Sequence, residues 1–274
     1  MPAADPGFME NLRIYFKIAV ASIKSRMEYR ASFSVFLFTL VLFYSAQAVT
    51  ISVIVYRFKT IGGWNIGEIA FLYSVLILSM GIVSSVFSGL IEFYNHIREG
   101  TYDRILLRPL SPLWQVIMGG FEITGLVHLV LGLTTFWIAN QFHTVEWNWL
   151  NAAVFLLTIL GGSLILASIR IMIASIAFYA VNNSSLVHLF VFSTREFMLY
   201  PMNIYSTGLK FILTFILPLG FINYYPSHYF LNKSGTDLFH PLLVFGSLPV
   251  GIVMLTIAYF MWKRGETAYE SAGA

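Results

Sequence analysis

Long uncharged runs separated by short charged stretches dominate the pattern. No residue from Ala31 to Tyr56 is charged, none from Ile69 to Ile91, and only Glu122 interrupts Leu113 to Val145. At about 1.5 Å per residue each run can cross a hydrocarbon core of about 30 Å. A fourth run goes from Asn151 to about Ala180, with Gly161, Gly162 and Ser163 where a neighbouring helix can approach closely. Three further runs follow, Leu186 to Tyr200, Phe211 to Tyr225 and Phe239 to Trp262. The pattern predicts an all-α, polytopic membrane protein.

The number of crossings follows from charge. Arg13, Lys17, Lys24, Arg26 and Arg30 precede the first run and Lys263 and Arg264 follow the last, so both ends are expected in the cytoplasm and the count is even. The run to demote is 208–228, because Pro218, Gly220 and Pro226 would leave backbone groups unpaired in lipid. About six transmembrane helices result, with a re-entrant helical pair before the last span, in an external region over 204–238. Before the first span, residues 8–30 place Leu12, Phe16, Ala19 and Ile23 on one helical face and Arg13, Lys17, Lys24 and Glu28 on another. That pattern predicts a cytoplasmic interfacial helix over 1–30. Ala46-Gln47-Ala48 has the look of a signal cleavage site, but about thirty residues of charged helix precede its apolar run.

Between the second and third spans lies a charged island, His96 to Pro112, whose three arginines place it on the cytoplasmic side. Gly100 can break the incoming helix. Tyr102, Ile105, Leu106 and Pro109 then fall at helical spacing opposite Asp103, Arg104 and Arg108. The island reads either as an ordinary positively charged loop or as a short amphipathic helix along the inner face of the membrane.

Gly100-x-x-Asp103-x-x-Leu106-Leu107-x-Pro109 resembles the signature loop of ABC-2-type permeases, the membrane subunits of a class of ABC exporters, and in particular a subfamily of originally unknown function. Tyr200-Pro201, Ile216-Leu217-Pro218-Leu219-x-Phe221-Ile222 and Tyr224-Tyr225-Pro226 are similar to that family's broken-helix region. The resemblance implies a single permease domain over 1–274, in which the 96–112 loop is a coupling helix seated in a groove of a separate ATPase subunit. Gly100, Tyr102, Asp103, Arg104, Leu106, Leu107 and Pro109 would carry that coupling. It also implies a second permease chain, identical or homologous, a bacterial inner membrane, and substrates such as drugs, antibiotics, lipids or glycans.

Composition narrows the chemistry. With 58% hydrophobic residues, 11% charged and a mean hydropathy of +0.76, the chain is far from the soluble average of about a quarter charged. Its net charge of +3 sits at membrane edges, which reads as topology and not as nucleic-acid binding. There are no cysteines, and the six histidines never fall at a ligand spacing such as i, i+4. No G-x-x-x-x-G-K-[ST] phosphate loop occurs, so the chain is expected to hold no cofactor of its own, with ATP and Mg on the partner ATPase. The resemblance implies a transport subunit and not an enzyme.

Charge inside the spans is costly and therefore functional or paired. Glu122, His128, Arg170, Arg195 and Glu196 are the intramembrane polar candidates. They line a translocation path, or they tie helices together, as in a pair of Glu196 with Arg170 or of Glu122 with Arg195. Two other functions use the same residues: a lipid-acting intramembrane enzyme with Glu122, His128 or Glu196 as acid or base, and a secondary transporter with Glu122 and His128 as a proton relay. No internal repeat is visible, which weakens the second.

Overall fold

The computed structural model describes residues 13–14, 16–17, 20–21, 24, 30–108, 110–142, 145–180, 183–233 and 239–270. Among these, helix is the only regular structure, apart from an isolated bridge between Ile61 and Trp64. The interfacial helix expected over 1–30 lies largely outside the described residues, as do Pro109 and residues 234–238 of the external region. Arg13, Ile14, Phe16, Lys17, Val20, Ala21 and Lys24 are helical.

The first run forms α1 (Arg30–Phe58). α2 (Ile66–Val86) begins at a capping box in which Asn65 accepts from the Glu68 amide and Glu68 from the Asn65 amide. Being apolar all round, α2 can be enclosed on every side. It packs along α6 (Thr124–Phe142) and α7 (Trp149–Ile176), and 78% of its spanning window is buried. Ile69, Leu72, Val75 and Leu76 form the centre of the core. α12 (Ser247–Ala268) lies along α7. Its first residues meet Gly161, where a side chain would overlap Ser247, and its last turns meet Phe178 through Gly265. The close approach expected at Gly161–Ser163 is thus made twice, since Gly162 faces Ser79 and Ser163 donates to Ser79 O at 3.2 Å.

Between α2 and α6 the chain forms α3 (Phe93–Arg98), α4 (Tyr102–Leu106) and α5 (Pro112–Gly119). The third apolar run was expected to be one helix from Leu113 to Asn140, and the structure breaks it between Gly119 and Thr124. The reason is a contact that hydropathy does not encode. Gly120 lies backbone against backbone on Gly89, and a β-carbon on Gly120 would overlap Gly89 N and Cα. The polar groups freed by the break find partners on the end of α2 and the turn after it: Ser88 Oγ donates to Gly120 O, and Glu122 N donates to Ser85 O at 3.4 Å.

Beyond α7, Ser184–Met198 is a composite of α8 (Ser184–Val187), a π-helical stretch (His188–Ser193) and α9 (Thr194–Met198). A bent pair follows, Thr207–Ile216 and Leu219–Phe230, turning by 75° at Leu217–Pro218. It contains α10 (Thr207–Phe211) and α11 (Tyr224–Phe230). Pro218 supplies the break, as its sequence context predicts. Ends of this region lie by the start of α2: Asn203 Nδ2 donates to Gly62 O, and Lys233 Nζ is 2.9 Å from Glu68 Oε2 and 4.7 Å over the Trp64 ring. By length and composition α2, α6 and α7 can each cross a membrane, and the bent pair makes a fourth if it counts as one span. Of the six runs expected to cross, α1, the 184–198 composite and α12 are not among these, and the composite, about 22 Å long at helical rise, is by itself short of a full crossing. The chain is an all-α, polytopic integral membrane protein.

Candidate functional site

All five polar residues singled out within the apolar runs, Glu122, His128, Arg170, Arg195 and Glu196, line one cavity of about 1150 Å³. They come from the α5–α6 break, α6, α7 and α9. The same cavity reaches Arg104 and Arg108 of the island, so it runs continuously from the island face toward the middle of the helix bundle.

Arg170 is buried on α7. Its guanidinium donates to Val83 O at 3.0 Å and to Ser84 Oγ at 3.2 Å, and the Glu122 carboxylate acts on it as a counter-charge. A buried cation is tolerable only when so partnered. Glu122 also accepts from Thr124 Oγ1 at 3.2 Å, which holds the carboxylate at the mouth of the break. These contacts tie α7, the end of α2 and the start of α6 together at one level.

A second group sits further from the island. Tyr44 of α1 and His128 of α6 share a hydrogen bond, their rings edge to face with centroids 5.3 Å apart. The Arg195 guanidinium lies 5.0 Å from the centre of the Tyr44 ring and 5.4 Å from that of Phe43, an arrangement in which ring faces stabilise the cation. Sequence reasoning missed Tyr44, which looks like one more aromatic in an apolar run; its hydroxyl was the only signal. The π-helical stretch also escaped it. Six residues from His188 to Glu196 line the cavity, and the wider turn at His188–Ser193 is what brings this segment to the wall. Such π turns concentrate at functional sites.

The island is built from the glycine outward. Gly100 has φ +65°, a conformation that costs a side chain about 1 kcal/mol or more, and it turns the chain between α3 and α4. His96 Nδ1 and Thr101 Oγ1, 2.9 Å apart, clamp that turn, and Gln115 of α5 donates to Ile105 O and Leu110 O, both at 2.9 Å. The expected apolar strip is corrected in part. Tyr102 is fully buried and Ile105 half-buried, but Leu106 is 42% exposed; Leu107, outside that strip, is 85% exposed. Asp103 is only partly exposed and accepts from Tyr269 Oη at 3.1 Å, whereas Arg104 and Arg108 are exposed. A helix this short cannot bury both of its apolar ends against the same neighbour.

Burial holds the His96 imidazole below its ordinary value, with Glu99 and Glu92 pulling the other way. The neutral ring therefore contributes stability that is complete above about pH 6.5 and is lost as pH falls through the lowered folded value. The thermal midpoint of the purified protein should fall on acidification from about pH 7 to about pH 5. His96→Gln should remove part of that slope, and an identical slope in the variant would show that His96 does not contribute.

The family model described as "ABC-2 family transporter protein" matches residues 41–273. No curated protein and no solved structure matches the chain.

Proposed function

Because the chain belongs to the ABC-2 family of transporter proteins, we propose that it is the membrane-spanning permease subunit of an ATP-driven exporter, coupled through the 96–112 loop to a separate ATPase. The observation that carries this reading is the cavity. Five embedded polar side chains scattered over some 75 residues of sequence converge on one space that ends at the island. A path for polar or amphiphilic cargo needs such a lining, and tying helices together does not require that all five share it.

The arginines put the island face on the cytoplasmic side, and both termini with it. Six crossings are then formed by α1, α2, α6, α7, the 184–198 composite extended by the residues that carry it on to the turn Met202–Ile204, and α12. The bent pair is a re-entrant hairpin from the outer face, which is supported by the position of Asn203 and Lys233 beside the start of α2. Two permease chains, identical or homologous, enclose the path in a bacterial inner membrane. Leu106 and Leu107 are exposed on the island, with Arg104 and Arg108 exposed beside them at the mouth of the cavity, and together they offer an apolar tip flanked by cations to the ATPase groove, with ATP and Mg bound on that subunit. Asp103, held by Tyr269, acts from within the chain.

Expression of the gene with its genomic neighbours should yield a complex that retains an ATPase subunit. Leu107→Glu should reduce its retention at least about tenfold, the loss of an apolar anchor of about 1.5 kcal/mol or more, while the permease inserts as before. An exposed side chain with no docking role would tolerate the change, and full retention would remove the island from the ATPase interface.

A further inference from the structure

Four rings from three parts of the chain close around Tyr102. Phe93 of α3 stands edge-on to it with centroids 5.4 Å apart, and Phe178, just past α7, at 5.3 Å. Trp262 of α12 packs on Phe93 at 4.8 Å and on Phe178 at 5.1 Å. Tyr269, the residue after α12, completes the group with its ring perpendicular to Tyr102 at 4.9 Å and its hydroxyl on Asp103 Oδ1. Phe93, Tyr102 and Trp262 are fully buried. The side of α4 that faces the bundle is therefore fastened to the last helix by packed aromatic rings and one directed hydrogen bond.

At its other end α12 is fastened again. Ser247 Oγ donates to Phe221 O at 2.7 Å, in the second arm of the bent pair, and the α12 backbone lies directly on Gly161. Twenty-two residues of helix span about 33 Å between these attachments. A continuous helix transmits displacement along its axis, whereas the loops between the other elements absorb it.

We infer that α12 is a transmission rod between the island and the bent pair, and that Tyr269 is the positioning residue that fixes the island to it. The inference rests on the permease reading, because only a driven island has motion to transmit. Burial and the bond to Asp103 both raise the Tyr269 hydroxyl above its ordinary value, so it stays a proton donor throughout the physiological range. Asp103→Asn keeps an oxygen that can accept the bond and should preserve it, while Asp103→Ala and Tyr269→Phe each remove the same bond.

The chain has no cysteine, so two spin labels can be placed without altering a native thiol. In the permease alone, in nanodiscs, labels at Leu107→Cys and Phe260→Cys should give one narrow distance. That distribution should broaden at least about twofold in Tyr269→Ala and less in Tyr269→Phe. It should broaden no further when Asp103→Ala is added to Tyr269→Phe, and it should stay narrow in Asp103→Asn. Unchanged widths in every variant would overturn the attachment.

The second measurement uses the full complex with labels at Ile66→Cys and Phe215→Cys, which read the bent pair against the start of α2. Trapping with ATP and orthovanadate should shift that distance in the otherwise native chain. The shifted population should fall about fivefold in Tyr269→Phe with the ATPase subunit still bound, and Asp103→Asn should restore it. A full shift in Tyr269→Phe would overturn the rod. If trapping moves nothing even with Tyr269 intact, the permease reading itself fails and takes the rod with it. That outcome is told apart by the nanodisc distances, which need no ATPase.

Discussion

Gly120→Val should prevent the end of α2 from closing on the α5–α6 break, with a loss of about 3 kcal/mol or more. A β-carbon at this position overlaps the backbone of Gly89 and not the end of a movable side chain, so no rotamer change relieves it. Separation also frees the Gly120 carbonyl from Ser88 and the Glu122 amide from Ser85, which adds about 1 kcal/mol for each buried group left unpaired. The measurement is the fraction of detergent-solubilised protein that elutes as a monodisperse peak after a temperature ramp. Gly119→Val makes the matched control, because a side chain there meets open space. Equal behaviour of the two variants would show that the backbone contact is dispensable.

Arg170→Met should destabilise by about 3–5 kcal/mol, the usual result of removing one member of a buried charged network. The change strips Val83 O and Ser84 of a donor and takes away a counter-charge of Glu122, at the level where α7, α2 and α6 meet. Glu122→Gln alone should cost less, since an amide can still accept from Thr124. The double variant Arg170→Met, Glu122→Gln should recover part of the loss, because the uncompensated carboxylate is gone. Thermal midpoints of the four proteins close this cycle. Additive losses would mean that Arg170 and Glu122 do not act on one another. Arg170→Lys should fall well short of wild type, as an ammonium cannot reach two acceptors with the geometry of a guanidinium.

The polar positions of this site were legible because charge in an apolar run is rare enough to be conspicuous. Glu122, Arg170 and Arg195 could be picked out singly, and the structure then brings them to one cavity. Their partners were not legible in the same way. The carbonyl of Val83 has no sequence signature, and Tyr44 is an aromatic among aromatics. Gly100 announced the turn before α4, whereas the break at Gly120 depends on a second glycine 31 positions earlier and could not be seen locally. Asp103 shows the same limit from the other side. Its place in a motif suggested an outward role, and the hydroxyl that receives it belongs to a tyrosine 166 residues away. Periodicity found the helices; the contacts that decide where they break and lean are non-local.

The enclosure of α2 has a consequence for how the molecule is made. Its neighbours α6 and α7 are synthesised after it, so α2 enters the bilayer before any of the surfaces that will surround it exist. An ordinary amphipathic helix would then present polar residues to lipid while it waited. α2 has none of that difficulty: its one charged residue, Glu68, lies in the first turn, and the remainder is apolar or small around the whole circumference. The same surface is thus stable in lipid first and in protein later. Assembly becomes an exchange of acyl chains for helix faces, driven by close packing where small residues allow backbones to touch. A nascent chain halted after the island should accordingly hold α2 fully inserted, and the late arrival of α6 should decide when the bundle becomes resistant to protease.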